Sequence, residues 1–517
     1  MGQATLGSNS TGSNNTAVGH AALFGNTTAS NNSAFGYNAL VSNTTGTSNT
    51  AVGAYALDAA TTADQNTAVG RDALGATTTG NLNVAIGDYA MNNSTEADRN
   101  VVVGSQAMTS YSATGDNYNV VVGFRACQST TTASSFTAVG GDALKSTTTG
   151  GSNVAIGYSA GSSLTTGDNN VIAGTSVMTA NVTGGSNVVI GHRAYRLGND
   201  GSGNVAIGSE SMEDNTGNDN TAVGTSTLKE NTTGTQNVAV GYEAGKNNTS
   251  GGPFTFVGYQ AGFNKGDNGS GEGTAVGYQA LYASGGPLRN VAVGKEAMFA
   301  TTNTGDSNTG IGFQALKTNT TGSVSTGVGA YALTAQTTGS QNCAIGEAAG
   351  ISVTTGNGNT FLGTEAGSGQ VTTGSHQLYI ARDNVASSNA AVWIYGNSSG
   401  ACHQGNNSSS WSTSSDQRLK KDIVANTVGL SIIDNVTVKN FKYKQYSDGS
   451  PVSSDDTVDM SEFPNADGVH QVLVGQGKTE TQIGIIAQEL ETVAPTCVTT
   501  NDKGVKTVDT DELFWYM

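Results

Sequence analysis

The sequence is short of charge, proline, aromatic side chains and long apolar runs. Of its 517 residues 12% are charged and 6% aromatic, and only five are Pro. An ordinary globular chain has about 25% charged residues, so most of this one cannot be a standard globular surface. It contains no run of about 18 apolar residues, and no transmembrane helix is expected. The opening "MGQATLGSNSTGSNN" has neither a basic nor an apolar segment, so it does not read as a secretory signal. Cys127, Cys343, Cys402 and Cys497 form no CxxC and no metal-ligand spacing, and the five His are equally scattered. Neither a metal nor a cofactor is expected.

Glycine is what the chain has in quantity, and unevenly. Residues 1–414 hold 65 of the 72 Gly but 36 of the 61 charged residues, whereas 415–517 hold the other 25 charges in 103 positions. Net charge is −10 for the first part (13 basic, 23 acidic) and −7 for the second (9 basic, 16 acidic). Neither part offers a basic patch, which argues against nucleic acid as a partner.

An internal repeat dominates the Gly-rich part. Aligned on the Gly of "NTAVGxxAL", 21 copies run from Gly19 to Gly363, and 16 of the 20 spacings are 17 residues; the others are 16, 18, 19 and 19. So regular a step makes each copy one rung stacked on the last. The residue before the Gly is apolar in all 21 copies, as in Val18, Val52, Ile86 and Ile207. The third residue after it is Ala in 18 copies. The fourth is Leu, Met, Cys or Tyr in 16 and Gly in five. Asn stands four residues before the Gly in 17 copies, among them Asn15, Asn32, Asn49 and Asn66. "NTTG" and "TTTG" segments between these are turn formers.

The pattern predicts an all-β solenoid of parallel strands, with two short strands and two turns per rung and Val or Ile facing inward. Gly and Ala suit close backbone approach, and stacked Asn predict amide ladders along the axis. At about 4.8 Å per rung the rod would be roughly 100 Å long. One small aliphatic per strand makes a thin core, and three chains wound together would bury more, so a homotrimer is expected.

Other readings of the repeats are weaker. The Asn-x-Thr triplets, such as Asn26 to Thr28, match glycosylation sequons but recur at one rung position, as turn chemistry requires. Asn and Gly interrupt the Thr rows that an ice-binding face would need. The "GGxGxD" nonapeptides of calcium-binding solenoids are absent. No paired carboxylates recur, against a glycan-cleaving shaft. The "GYQ" sites, Gly258 to Gln260 and Gly277 to Gln279, are exposed positions able to touch a glycan or simply to face water.

The rungs resemble the head repeats of trimeric autotransporter adhesins ("NxVAIGxxA"), a left-handed parallel β-roll. They resemble more closely the tandem "NTAVGYxAL…NTTG" repeats of tail-fibre-like phage proteins. The resemblance covers about residues 11–367, after a lead-in at 1–10. In the connector, 368–414, "HQLYIARDN" and "AAVWIYGNSSGA" read as strands. The adjacent Cys402 and His403 invite a nucleophile–base reading but have no third group in view.

Beyond Ser415 the pattern is that of a small α+β domain. Leu419, Ile423, Leu430 and Ile433 are spaced for short helices, "VTVKNFKYK" alternates as a strand, and "GIIAQELETVAP" runs from a strand into a helical turn. Alone, "SSDQRLKKDI" (Ser414 to Ile423) is a capped helix start. Its company is more specific. Ser415 and Asp416, Lys420, Ile423, "FKYK" (441–444), "GIIAQE" (484–489), Pro495 and "VDTDEL" (508–513) occur in one order. That set resembles the C-terminal intramolecular chaperone domain of endosialidase-type phage tailspikes and tail fibres, over nearly all of 415–517.

The resemblance implies a domain that trimerises, guides folding of the fibre before it and then cuts itself off with a Ser–Lys dyad. Carried onto this chain, Ser415 is the nucleophile, Lys420 its base, Asp416 a supporting residue and Ser414–Ser415 the scissile bond. At a pKa of about 10.4 only roughly 0.04% of a lysine is neutral at pH 7. Lys420 must therefore be desolvated, or crowded by cations such as Arg418 and Lys421. The family usually continues into a helix that bundles with its trimer mates, whereas this sequence stops at "LFWYM" (513–517).

The implied whole is a trimeric tail fibre or tailspike-like protein of the virion, folded in the host cytoplasm. Its implied partners are phage tail components and a host surface glycan, with single-turnover autoproteolysis as its one reaction. A bacterial trimeric adhesin would share the rungs but should carry a signal peptide and a membrane barrel. A glycan-depolymerising tailspike would share the chaperone.

Overall fold

The computed structural model describes residues 2–265, 272–285, 289–300, 302–369, 371–381 and 392–399. Beyond these it describes Thr492 and short strand segments between 402 and 508. The chain divides into two compact units, Met1–Trp411 and Ser412–Met517.

The first unit is the expected parallel β-solenoid. Each of the 21 rungs contributes one short strand, from Thr16–Val18 to Thr360–Leu362, hydrogen-bonded in register to the strands of the rungs before and after it. Thr50, Ala51 and Val52, for example, pair with Thr67, Ala68 and Val69. Strand Leu378–Ala381 extends the sheet in parallel, and Val392–Gly396 and Cys402–Gln404 then close it antiparallel. Phe361, Tyr379 and Tyr395 stack across that closing edge at 6.0 and 6.3 Å.

The inward residue of each strand is the middle one, not the Val or Ile before the Gly. Ala34, Ala51, Ala68 and their equivalents are fully buried, whereas Val18 is 48% and Ile156 49% exposed. Period-two alternation lets only one of three strand residues face the core. The space there is Ala-sized because a second buried row, Ala and Leu or Met three and four residues after the Gly, fills the opposite side.

That opposite limb is not the second strand expected. Its non-Gly residues alternate into the left-handed region, as at Tyr55 (φ 60°) and Leu57 (φ 51°). Each such residue costs about 1–2 kcal/mol. The alternation aims successive peptide groups at opposite neighbours: Tyr55 N–H donates to the Tyr37 carbonyl (2.9 Å), and Leu57 N–H to the Ala73 carbonyl (3.0 Å). The limb therefore bonds both adjacent rungs without being a strand.

Two other positions are fixed by contact between rungs. Gly53 has φ 137°, and a Cβ there would lie 2.4 Å from the Gly70 carbonyl oxygen. The expected Asn ladder forms in full burial. Asn49 Oδ1 accepts the Asn66 backbone N–H at 2.9 Å, while Asn49 Nδ2 donates to the Ala63 carbonyl at 2.7 Å.

Core volume is traded between limbs. Where the central strand residue is Phe256, the facing positions are Gly245 and Gly262, where a Cβ would come within 2.7 and 2.3 Å of the ring. Phe361 faces Gly350 and Gly367 in the same way. The five Gly in the Leu column are thus all explained by bulk in the strand column, Phe256 and Phe361 at four sites and Ile172 beside Gly161 at the fifth. Phe256→Ala is expected to cost about 3–5 kcal/mol in denaturant unfolding. Adding Gly245→Leu and Gly262→Leu, both at φ values Leu adopts in neighbouring rungs, should restore most of it.

Tyr195 occupies the Leu position of its rung and is fully buried. Burial pushes its phenol up to about 12, against an ordinary value of about 10. The neutral form is the one the fold favours, so its contribution is complete below pH 10 and is lost as pH rises from 10 to 12. Tyr195→Phe should flatten that part of the alkaline unfolding profile.

Candidate functional site

Ser414, Ser415, Asp416 and Lys420 lie outside the described residues, as do Arg418, Lys421 and Pro495. What the second unit describes is the framework of the other motifs. Strand Val438–Phe441 pairs antiparallel with Gln482–Ile485, setting Lys439 opposite Gly484. The first residue of "FKYK" and the start of "GIIAQE" therefore belong to one sheet, although they lie about forty residues apart. A separate antiparallel pair joins Val498–Thr500 to Lys506–Val508, whose last residue is the first of "VDTDEL". Thr492 is helical; the remaining residues of the expected helices lie outside the described set.

In the first unit the exposed chemistry is arranged in columns, because equivalent residues of successive rungs are neighbours. Directly after the rung Gly, Tyr242, Tyr259 and Tyr278 stack at 5.2 and 5.1 Å, and Lys295 lies 5.5 Å from the Tyr278 ring. Four residues further along each rung, Phe263, Tyr282 and Phe299 stack at 5.1 and 5.0 Å, with Lys246 and Lys317 at either end. A polar rail lies between in sequence. Gln279 Nε2 donates to Gln260 Oε1 and Gln260 Nε2 to Glu243 Oε2, each at 2.8 Å. Gln314 donates likewise to Glu296, and Lys246 and Lys317 pair with Glu243 and Glu296.

The acidic groups here are held as anions. Burial works to raise Glu243, yet hydrogen bonds from Lys246, Gln260 and Tyr242 keep its carboxyl below the ordinary value. Lys317 does the same for Glu296, and the Arg289 guanidinium holds Asp306 down at about 2. Elsewhere Arg193, Arg196 and Lys229 enclose the buried Glu213. Such carboxylates hold rungs together and are poor proton donors. Among the described residues no cluster of His, Cys, Asp and Glu is fit for a metal ion.

The "GYQ" residues were visible in the sequence; the second aromatic column was not. Its signal is the 17-residue register itself. Only the rungs of Gly258 and Gly277 carry Tyr or Phe both directly after the Gly and four residues later.

No curated protein and no solved structure matches the chain. Residues 415–499 match the family described as chaperone of endosialidase, a span that holds Ser415, Asp416, Lys420, "FKYK", "GIIAQE" and Pro495 and ends before "VDTDEL". The combination fits a phage tail fibre with an endosialidase-type chaperone: a 21-rung parallel β-solenoid is followed in the sequence by a C-terminal stretch that matches the chaperone-of-endosialidase family.

Proposed function

We propose that the protein is a phage tail-fibre or tailspike-type component whose shaft folds as a homotrimer under its C-terminal chaperone, which then cuts itself away. The observation that carries the reading is the family match at 415–499 directly behind a long solenoid. The fibre attaches to other tail components and meets a glycan on the host surface.

Self-cleavage is a balanced two-step reaction. The Ser415 hydroxyl attacks the carbonyl carbon of Ser414, and neutral Lys420 takes its proton and delivers it to the departing Ser415 amine. The chain then carries an ester at Ser415 Oγ, which water hydrolyses to a Ser414 carboxylate and a free N-terminus at Ser415. A lysine that is neutral only once desolvated ties the cut to completed folding. Mass spectrometry of the purified product should show the break between Ser414 and Ser415. Ser415→Ala and Lys420→Ala should each leave the full-length chain, and normal cleavage in both would sink the assignment.

Support for the trimer comes from the strand face. The residue before the Gly is apolar in every rung and stands largely outside the chain's own core, as do Ile86 at 39%, Ile190 at 38% and Ile345 at 44% exposure. Parallel sheets are normally covered on both faces, and a continuous apolar strip of this length marks an interaction surface. Replacing Ile86, Val103 and Val122 by Asp should lower the mass seen by light scattering while leaving the solenoid's circular dichroism. An unchanged mass would place the interface elsewhere.

A further inference from the structure

The rungs between Gly241 and Gly312 depart from the repeat in three ways that coincide. Two of the four irregular spacings fall here, 19 residues from Gly258 to Gly277 and 18 from Gly294 to Gly312. An added parallel bridge, Asn264–Lys265 with Ala283–Ser284, lies directly after Phe263 and Tyr282. In repeat proteins insertions of this kind collect on the binding face. Charge departs too. Residues 241–317 carry five basic and five acidic side chains, against eight and eighteen in the rest of 1–414, and they hold four of that region's six Lys.

The same rungs carry the two aromatic columns and the amide rail. The fold does not need aromatics there: the position after the Gly is Ala54, Ser105, Thr175 and Ser209 in other rungs. Tyr242, Tyr259 and Tyr278 remain 47%, 43% and 44% exposed, so they bury little for the shaft. Stacking occupies the ring faces, which leaves ring edges toward solvent. Beside them run the Gln260 and Gln279 amides, already oriented by their bonds along the rail.

A surface that repeats at every rung selects a partner that repeats at the same step. The rungs rise about 4.8 Å, and the stacked rings are spaced by 5.0–5.2 Å. One sugar ring of an extended polysaccharide adds a comparable length. An extended peptide repeats every two residues, about 6.6 Å, and falls out of step. Nucleic acid lacks the cationic surface it requires. We infer that the columns Tyr242–Tyr259–Tyr278 and Phe263–Tyr282–Phe299, with the Gln260–Gln279 rail, form a binding site for a linear polysaccharide lying along the shaft. The inference rests on reading the chain as a surface-recognition fibre and adds the site and the ligand's direction.

The test uses the full chain on an array of linear bacterial surface polysaccharides, neutral and uronate-bearing. Tyr259→Ser with Tyr278→Ser, a residue other rungs carry at this position, should weaken retention at least about tenfold with unchanged melting and native mass. Tyr158→Ser, which removes an exposed tyrosine outside the columns, should change nothing. Retention by the parent chain that survives the double substitution overturns the site but leaves glycan recognition standing. No retention on any polysaccharide overturns recognition and the site together. Loss of native mass in the double variant would make the columns a contact between copies and overturn the site.

Discussion

The shaft depends on one repeated interaction, the buried side-chain amide that joins each rung to the next. Ala is the commonest residue in the strand row of the core, so burial per rung is small for a chain that must also order seventeen residues. The Asn four residues before the Gly supplies what the core lacks. Its oxygen takes the backbone N–H of the following Asn and its nitrogen serves a carbonyl fourteen residues ahead, as at Asn170 with Asn187 and Gly184. A buried amide left with missing partners costs about 1–3 kcal/mol, so a rung in the wrong place is penalised at once. Where the ladder residue changes, the bond is kept on one side: Phe254 N–H still reaches Asn237 Oδ1 at 3.0 Å, and Ser325 Oγ stands in as acceptor for Asn342.

Close stacking dictates the rest. A rung Gly that meets the next Gly carbonyl cannot carry a side chain, and a three-residue strand can turn only its middle residue inward. The apolar residues on either side are then left facing out, along the whole length. A single chain therefore buries one row of its sheet and offers the other, which is the geometry of a strand face made to be covered by something else. The left-handed limb opposite has the converse character. Its backbone is bonded to neighbouring rungs, so its outward side chains are free to vary, and this is where Tyr, Gln, Lys and Phe columns appear.

The rung length, the parallel stack, the Asn ladder and the Gly contact were legible because each repeats in sequence with one period. The direction of Val and Ile was not. "TAV" and "VAI" are apolar or near-apolar throughout, and three residues carry too little alternation to say which side is the core. The left-handed limb was also hidden, since Leu and Met are not residues that choose positive φ; only bonds to two neighbouring rungs make it affordable. The Gly in the Leu column reads as random until Phe256 and Phe361 are placed opposite it. Ser415 and Lys420 rest on motif order and on the family match; the pairing of Val438–Phe441 with Gln482–Ile485 joins only the starts of "FKYK" and "GIIAQE" in one sheet.

Near-identical rungs create a folding problem that the unusual ones help to solve. A strand that skips its neighbour and pairs with the next rung loops out seventeen residues yet keeps nearly every ladder bond. The energy gap between correct and slipped stacks is therefore narrow. Rungs with a unique content widen it. Phe256 fits only where Gly245 and Gly262 lie on either side, Phe361 only between Gly350 and Gly367, and Tyr195 only where its buried hydroxyl approaches Asn204. A slip by one rung sets a phenyl ring against a Leu, an overpacking penalty of about 1–3 kcal/mol. Such markers are sparse in the first rungs, where Leu23, Leu40, Leu57 and Leu74 follow one another against Ala. They begin further along, at Tyr195, Phe256 and Phe361 among others.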